Sequence, residues 1–270
     1  MTTFAPGELL STDVPRDAAR QLHDTYVHAT PFPHIVIDDF TDTALLDRVI
    51  SEFPSSDDMG IQFDAPQEVK SAEQSWARMG PATRELLTMT SCAPFLAMLE
   101  DLTGIQALIP DPLFEGGGLH QIRRGGKLGV HADFNKHLIY GLDRRLNLLL
   151  YLNRDWDDAW GGQLELWDRD MTTCVRRVAP VFNRCVVFST TSHAFHGHPD
   201  PLQCPPEVTR KSVALYYYTN GRPADEEYGH HNTLFQRRPG TNDVTKPKRN
   251  VRDRVKLLVP PILLPESKRL

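Results

Sequence analysis

Residues 146–152, LNLLLYL, form a run of strand length that is apolar on both of its alternating faces. A strand that is half exposed alternates polar with apolar, so a run like this belongs in the middle of a sheet covered on both sides. Runs of similar length lie on either side of it, separated by turn chemistry: GLHQI (118–122), LGVHAD (128–133), QLELW (163–167), CVRRV (174–178), RCVVFS (184–189) and SVALYYYT (212–219). Their number and spacing predict a β-sandwich or barrel-like core from about residue 117, with 146–152 at its centre.

Upstream the period changes. Ala18, Leu22, Tyr26 and Val27 recur at helical spacing between Pro15 and Ala29, and Pro31-Phe32-Pro33 ends that segment. HIVIDDF (34–40) reads as a strand. Thr41-Asp42-Thr43 caps a second helix carrying Leu45, Leu46, Val49, Ile50 and Phe53, which Pro54 stops. Residues 55–82 are polar without a sustained period and predict a surface loop with one extended segment. From Arg84 to Leu102 helical spacing returns, interrupted near Pro94 and stopped at Gly104. The helices of the first 110 residues are expected to cover one face of the central strand.

The whole chain has 270 residues, 30 Lys and Arg against 35 Asp and Glu, a net charge of −5 and 40% hydrophobic residues, enough for one sizeable core. Division at 1–116 (support region), 117–222 (β-rich core) and 223–270 (basic extension) is expected within one structural domain. Residues 221–270 hold 11 basic and 6 acidic side chains, a local +5 that leaves −10 on residues 1–220. The basic run PKRNVRDRVK (247–256) reads as a solvated strip or as a docking element for an anionic partner. The acidic body and the lack of interleaved aromatic and basic residues argue against nucleic acid. Four cysteines without a CxxC pair exclude a thiolate zinc site and a disulfide scaffold. The absence of a long apolar run or a basic leader points to a cytoplasmic chain without a membrane span.

Six of the 11 histidines (120, 131, 137, 193, 196 and 198) fall within 79 residues. On a strand, His131 and Asp133 would project from one face and can converge on a single ion. A third ligand is available in SHAFHGH (192–198), where periodicity does not choose among His193, His196 and His198. Two His and one Asp form a facial set suited to Fe(II) with open coordination positions, and the same set also binds catalytic zinc.

The ordered series His131-x-Asp133, Leu149–Asn153, Gly161–Leu166, Val178-x-Pro180, Val186–Phe188, Phe195-His196 and Arg210-x-Ser212 resembles the Fe(II)/2-oxoglutarate-dependent dioxygenases of prolyl-4-hydroxylase-like type. Pro33-His34-x-x-Ile37-Asp38-Asp39-Phe40 is similar to an amino-terminal strand of that group. The resemblance implies a double-stranded β-helix (jelly-roll) core flanked by amino-terminal helices, mainly β with α. It implies Fe(II) on His131, Asp133 and His196, with His196 preferred over His198 and His193. Arg210 would clamp the distal carboxylate of 2-oxoglutarate, with Tyr151, Ser212 and Gln121 beside it; a planar, permanently charged fork suits that task. The implied reaction uses O₂, releases succinate and CO₂, and hydroxylates an amino-acid residue, peptide or small molecule. Asp133 as a ligand favours hydroxylation over halogenation.

His120, His137, Trp160 and His198 are candidate substrate contacts, and 55–82, 154–162 and 197–209 are candidate specificity loops. Two competing readings are a catalytically silent binding module on the same scaffold, and a cupin-like metal dioxygenase without 2-oxoglutarate. The HxH spacing common in the latter is available only at His196-Gly197-His198.

Overall fold

The computed structural model describes residues 16–226 and 229–245. Helix α1 (Arg16–Val27) buries Ala19, Leu22 and Tyr26, close to the predicted stripe. Strand β1 (His34–Ile37) follows, and Asp42 then caps α2 (Thr43–Ser51) by accepting the Ala44 N–H at 3.0 Å. The second helical stretch divides into α3 (Pro81–Met89) and α4 (Ala93–Thr103). Pro94 sits in the first turn of α4, where its missing N–H has no helical partner to lose. Gly104 ends α4 at φ 75°, a left-handed conformation that a side chain would oppose.

Residues 55–82 depart from the expected loop, because β2 (Ile61–Ala65) and β3 (Glu68–Glu73) form a hairpin there. Its strands are rich in charge and show little local signal. Pairing comes from distant partners: Ser71–Glu73 pair with 119–121, and Glu68 and Val69 pair with Leu128 and Lys127.

The remaining strands are β4 (Ile109–Pro110), β5 (Gly118–Ile122), β6 (Lys127–Ala132), β7 (Asp143–Tyr151), β8 (Leu164–Trp167), β9 (Cys174–Val178), β10 (Cys185–Ser189), β11 (His196–His198), β12 (Arg210–Thr219) and β13 (Leu234–Phe235). Among the described residues the path of neighbours is β1-β10-β7-β12-β5-β3-β6-β11-β8-β9. Strand β3 bridges two antiparallel layers, β1-β10-β7-β12-β5 and β6-β11-β8-β9, in a jelly-roll arrangement.

β7 is central, between β10 and β12. Leu146, Leu148 and Leu150 pack outward into one core with Leu46, Leu86, Phe95 and Leu99 of the helices. Leu149 and Tyr151 point inward among Leu164, Leu166, Val186 and Phe188. Each fully buried Leu contributes roughly 1.5–3 kcal/mol relative to exposure, so two-sided burial anchors this strand. The alternation breaks once: Leu146 pairs with Tyr217 but Arg144 pairs with Tyr218, which leaves Arg145 as a bulge. A bulge re-aims the residues before it, and Arg144 joins Asn147 on the inner side.

The carboxyl-terminal extension is not wholly separate from the core. β13 pairs with the end of β6, Leu234 opposite Ala132 and Phe235 opposite His131, so an apolar ring covers the strand's outer end. The basic run 247–256 lies outside the described residues. All four cysteines are free, and among the described residues no helix is long and apolar enough to cross a membrane.

Asn153 ties the end of β7 to the start of β12. Its side-chain oxygen accepts the Lys211 N–H at 2.6 Å, and its amide donates to Pro180 O at 2.7 Å and Lys211 O at 3.1 Å. Asn153→Ala strands these backbone groups, and a loss of roughly 2–3 kcal/mol is expected. Urea unfolding midpoints measure it, and an unchanged midpoint would contradict this tether.

Candidate active site

A cavity of about 350 Å³ opens between the two layers. His131 near the end of β6, Asp133 just beyond it and His196 on β11 meet at one point of its wall. Their ligand atoms all lie within 4.8 Å of one another. His131 Nε2 is 3.4 Å from Asp133 Oδ1, and His196 Nε2 is 3.5 Å from Oδ2. Each ring is oriented through its other nitrogen: Nδ1 of His131 donates to Gly129 O at 2.8 Å, and Nδ1 of His196 to Ala194 O at 2.9 Å. Both Nε2 lone pairs are left for a cation. This donor set fits a divalent metal with open positions.

Strand register answers what periodicity left open among the three histidines. His196 lies opposite His131 and His198 opposite Leu128, with an irregularity between them, whereas His193 is not part of the cavity wall. β11 is a strand, and it takes up Gly197 and His198, the first two residues of the expected loop 197–209. Gly197 permits its approach to β6, since a Cβ there would lie 2.8 Å from the carbonyl oxygens of Leu128 and Gly129.

Asp133 is held from behind. Asn147 donates to Oδ2 at 2.6 Å and Arg144 Nη2 lies 3.1 Å from the same oxygen. Arg144 in turn donates to Asn147 Oδ1 through Nε and Nη2 at 3.0 and 2.7 Å, and its guanidinium lies 3.4 Å from the centroid of Tyr216. Burial works to raise the carboxyl, but Arg144, then His196 and His131, outweigh it and keep Asp133 well below the usual carboxylate range. The sequence reading missed Arg144 and Asn147. The available signal was an Asn inside a Leu run, a polar side chain that needs a buried partner.

The other end of the cavity is built for an anion. Arg210 is buried, and its Nε donates to Gly162 O at 2.9 Å. Gly162 adopts φ 76°, and a Cβ there would meet Leu202 at 2.7 Å and the Arg210 side chain at 3.1 Å. Among the described residues no carboxylate pairs with Arg210. Its guanidinium lies 4.9 Å from the Tyr151 ring centroid, with the buried Tyr151 hydroxyl beside it. His120 Nε2 and both ring nitrogens of His198 are buried and unpartnered. Burial, reinforced at His198 chiefly by Arg210 and at His120 chiefly by Lys70, pushes both imidazoles well below their ordinary range, so they are neutral. A buried guanidinium without a counter-ion, among unsatisfied polar groups, fits a carboxylate.

Three of the expected residues stand outside the cavity wall. Gln121 does not reach the cavity, because strand alternation turns His120 and Ile122 inward and Gln121 outward, where its amide donates to Thr209 Oγ1 at 2.8 Å. His137 is buried outside the cavity wall, with Nε2 3.3 Å from Asp111 Oδ1 and Nδ1 accepting the Ile139 and Tyr140 N–H groups. It latches the turn that presents Leu138, Ile139 and Tyr140 to solvent. Trp160 packs edge-on against Trp156 at 5.3 Å in a cluster with Ile122 and Leu202, behind the wall.

Ser212, His120 and His198 do line the cavity. Of the expected specificity loops, 55–82 supplies Phe63, Glu68, Lys70 and Gln74 through its hairpin, and 197–209 supplies Gly197 and His198, but 154–162 supplies none. A wider cleft of about 650 Å³ separates the open edges of β1 and β9. Two of its arginines are already engaged, Arg184 with Asp38 and Arg176 with His34, so the unsatisfied chemistry lies in the smaller cavity.

Residues 117–218 match the model of the 2OG-Fe(II) oxygenase superfamily. No curated protein sequence matches the chain. In fold it is similar to a Pseudomonas putida prolyl-4-hydroxylase (17% identity, 75% of this chain and 100% of that one, TM-score 0.55). It is also similar to a Trichoplax adhaerens prolyl hydroxylase solved with a hypoxia inducible factor peptide fragment (16% identity, 75% and 90%, TM-score 0.54). A third similar structure is SnoK, a non-heme α-ketoglutarate-dependent carbocyclase from nogalamycin biosynthesis (12% identity, 89% and 92%, TM-score 0.50).

Burial outweighs the pull of Asp133 and holds His196 down at about 4. The unfolded chain takes its proton near pH 6.5, so the stabilisation is complete above that pH and declines as pH falls toward 4. For metal-free protein the loss from His196 alone is expected to be on the order of 3 kcal/mol, with His120 and His198 adding in the same direction. Urea unfolding in chelator between pH 7 and 4.5 tests this, and a flat profile would show that the rings are not held neutral.

Proposed function

We propose that this chain, whose residues 117–218 form a 2OG-Fe(II) oxygenase domain, hydroxylates an amino-acid side chain, free or in a peptide, or a related small molecule. The observation that carries the reading is the presence, in one cavity, of a converging His-Asp-His set and a buried arginine that has no counter-ion among the described residues. When bound, Fe(II) and 2-oxoglutarate supply the oxidising chemistry, using O₂ and releasing succinate and CO₂.

His131, Asp133 and His196 would hold the iron through their two Nε2 atoms and one carboxylate. Arg144 and Asn147 keep that carboxylate ionised and oriented, as partners behind a metal ligand do. Arg210, with Tyr151 and Ser212, binds the distal carboxylate of 2-oxoglutarate. The β2–β3 hairpin and β13 contribute Phe63 and Phe235 to the wall, limiting water around the reacting groups. The amino-acid substrate class is supported by the prolyl hydroxylases of similar fold. A cytosolic setting belongs to the same proposal, supported by four free cysteines.

A succinate-release assay over a panel of amino acids, peptides and small metabolites tests the reaction. Turnover is expected to require Fe(II), O₂ and 2-oxoglutarate, and to fall to background in His131→Ala and Asp133→Ala. Near wild-type turnover in either folded variant refutes the ligand set. Arg210→Ala is expected to raise the 2-oxoglutarate KM by about 30-fold or more, the equivalent of at least about 2 kcal/mol for a buried pair. An unchanged KM assigns the carboxylate elsewhere.

A further inference from the structure

His198 carries two ring nitrogens, and among the described residues neither has a hydrogen-bond partner although the side chain is buried. An imidazole presents at least one N–H in either protonation state, so a buried donor is left over whichever nitrogen holds the proton. A donor in that position calls for an acceptor that arrives with a ligand. Under the proposed function two ligands enter this cavity, the substrate and 2-oxoglutarate.

Strand register separates the two. β11 runs antiparallel to β6, with His196 opposite His131 and His198 opposite Leu128. The step from His196 to His198, roughly 6.6 Å along a strand, therefore leads back down β6 and away from Asp133 and its partner Arg144. β12 begins on the cavity wall with Arg210, and Ser212 on the same strand lies opposite His120. Arg210 has committed Nε to Gly162 O, and the rest of its fork has no carboxylate to pair with.

We propose that His198 is a cosubstrate-binding residue, whose ring N–H donates to the distal carboxylate of 2-oxoglutarate beside Arg210, with His120 walling the same end. It thereby discriminates 2-oxo diacids from 2-oxo monoacids. The assignment rests on the proposed function, and it separates His198 from the substrate contacts expected from sequence.

Calorimetry on the full-length chain loaded with Mn(II) provides the test, with 2-oxoglutarate and 2-oxobutyrate as probes. The second probe keeps the 2-oxo acid head and lacks the distal carboxylate. His198→Leu is expected to weaken 2-oxoglutarate about 10- to 100-fold while leaving Mn(II) and 2-oxobutyrate within about twofold, and His198→Gln, which retains an N–H, to recover part of the loss.

Unchanged 2-oxoglutarate affinity in His198→Leu, or equal losses for both probes, overturns the proposal. Nitrogen NMR of the imidazoles in Zn(II)-loaded wild type needs no variant. A His198 ring signal that moves with 2-oxoglutarate and not with 2-oxobutyrate supports the assignment, and one that ignores both overturns it. A wild-type chain that binds Mn(II) but not 2-oxoglutarate overturns the proposed function itself, an outcome distinct from a loss confined to His198 variants.

Discussion

The two-sided burial of β7 is the constraint on which the rest of the molecule depends. Its even-numbered leucines hold the helices, and Asn147 and Leu149 between them line the cavity, so one strand couples the largest core to the chemistry. Asn147 supports Asp133 and Tyr151 stands beside Arg210. Because the side-chain period of a strand is two, sliding β7 by one residue would exchange these sets, placing leucines in the cavity and Asn147 among the helices. The hydrophobic core therefore fixes the position of the polar groups, and the bulge at Arg145 adds the one polar side chain that strict alternation would have excluded.

The charges of the cavity divide unequally. Arg144 and Arg210 are both buried, but among the described residues Arg144 has a carboxylate partner, Asp133, and Arg210 has none. A buried ion pair gains little net stability, whereas an unpaired buried charge costs several kcal/mol unless a ligand supplies the counter-charge. The paired end is suited to adding a cation, since Asp133 remains ionised with two imidazole lone pairs beside it. The unpaired end is suited to adding an anion. A ligand with both a metal-chelating head and a distal carboxylate satisfies the two ends together.

Much of this was legible in the sequence because it depends on local pattern. The LNLLLYL run placed the central strand, Asp42 and Gly104 marked helix ends, and the family resemblance carried by the ordered motifs pointed to His131, Asp133, His196 and Arg210, which line one cavity. What was not legible depends on pairing between distant segments. The β2–β3 hairpin has charged strands that gain their order from β5 and β6, so no local period announces it. Gln121 and His120 are neighbours in sequence, and which of them faces inward is decided by pairing with β12. Arg144 reaches Asp133 through a bulge that only the partner strand defines. His137 and Trp160 are residue types common in active sites, yet here they brace a turn and fill a cluster.

The strand that bridges the two layers also has a kinetic meaning. β3 pairs with β5 and with β6, and β1 pairs with β10, His34 opposite Phe188, more than half the chain away. Such non-local pairings carry their loop-closure entropy before any contact repays it, which places the molecule among slow-folding topologies. Local helices and the β8–β9 hairpin can form early, because their partners are adjacent in sequence. The cavity cannot, since its wall is completed only when an early segment of the chain docks between two later ones. A nascent chain must therefore be made past Phe235 before the metal-binding face has all its neighbours, and any cation bound earlier would meet an unfinished set of ligands.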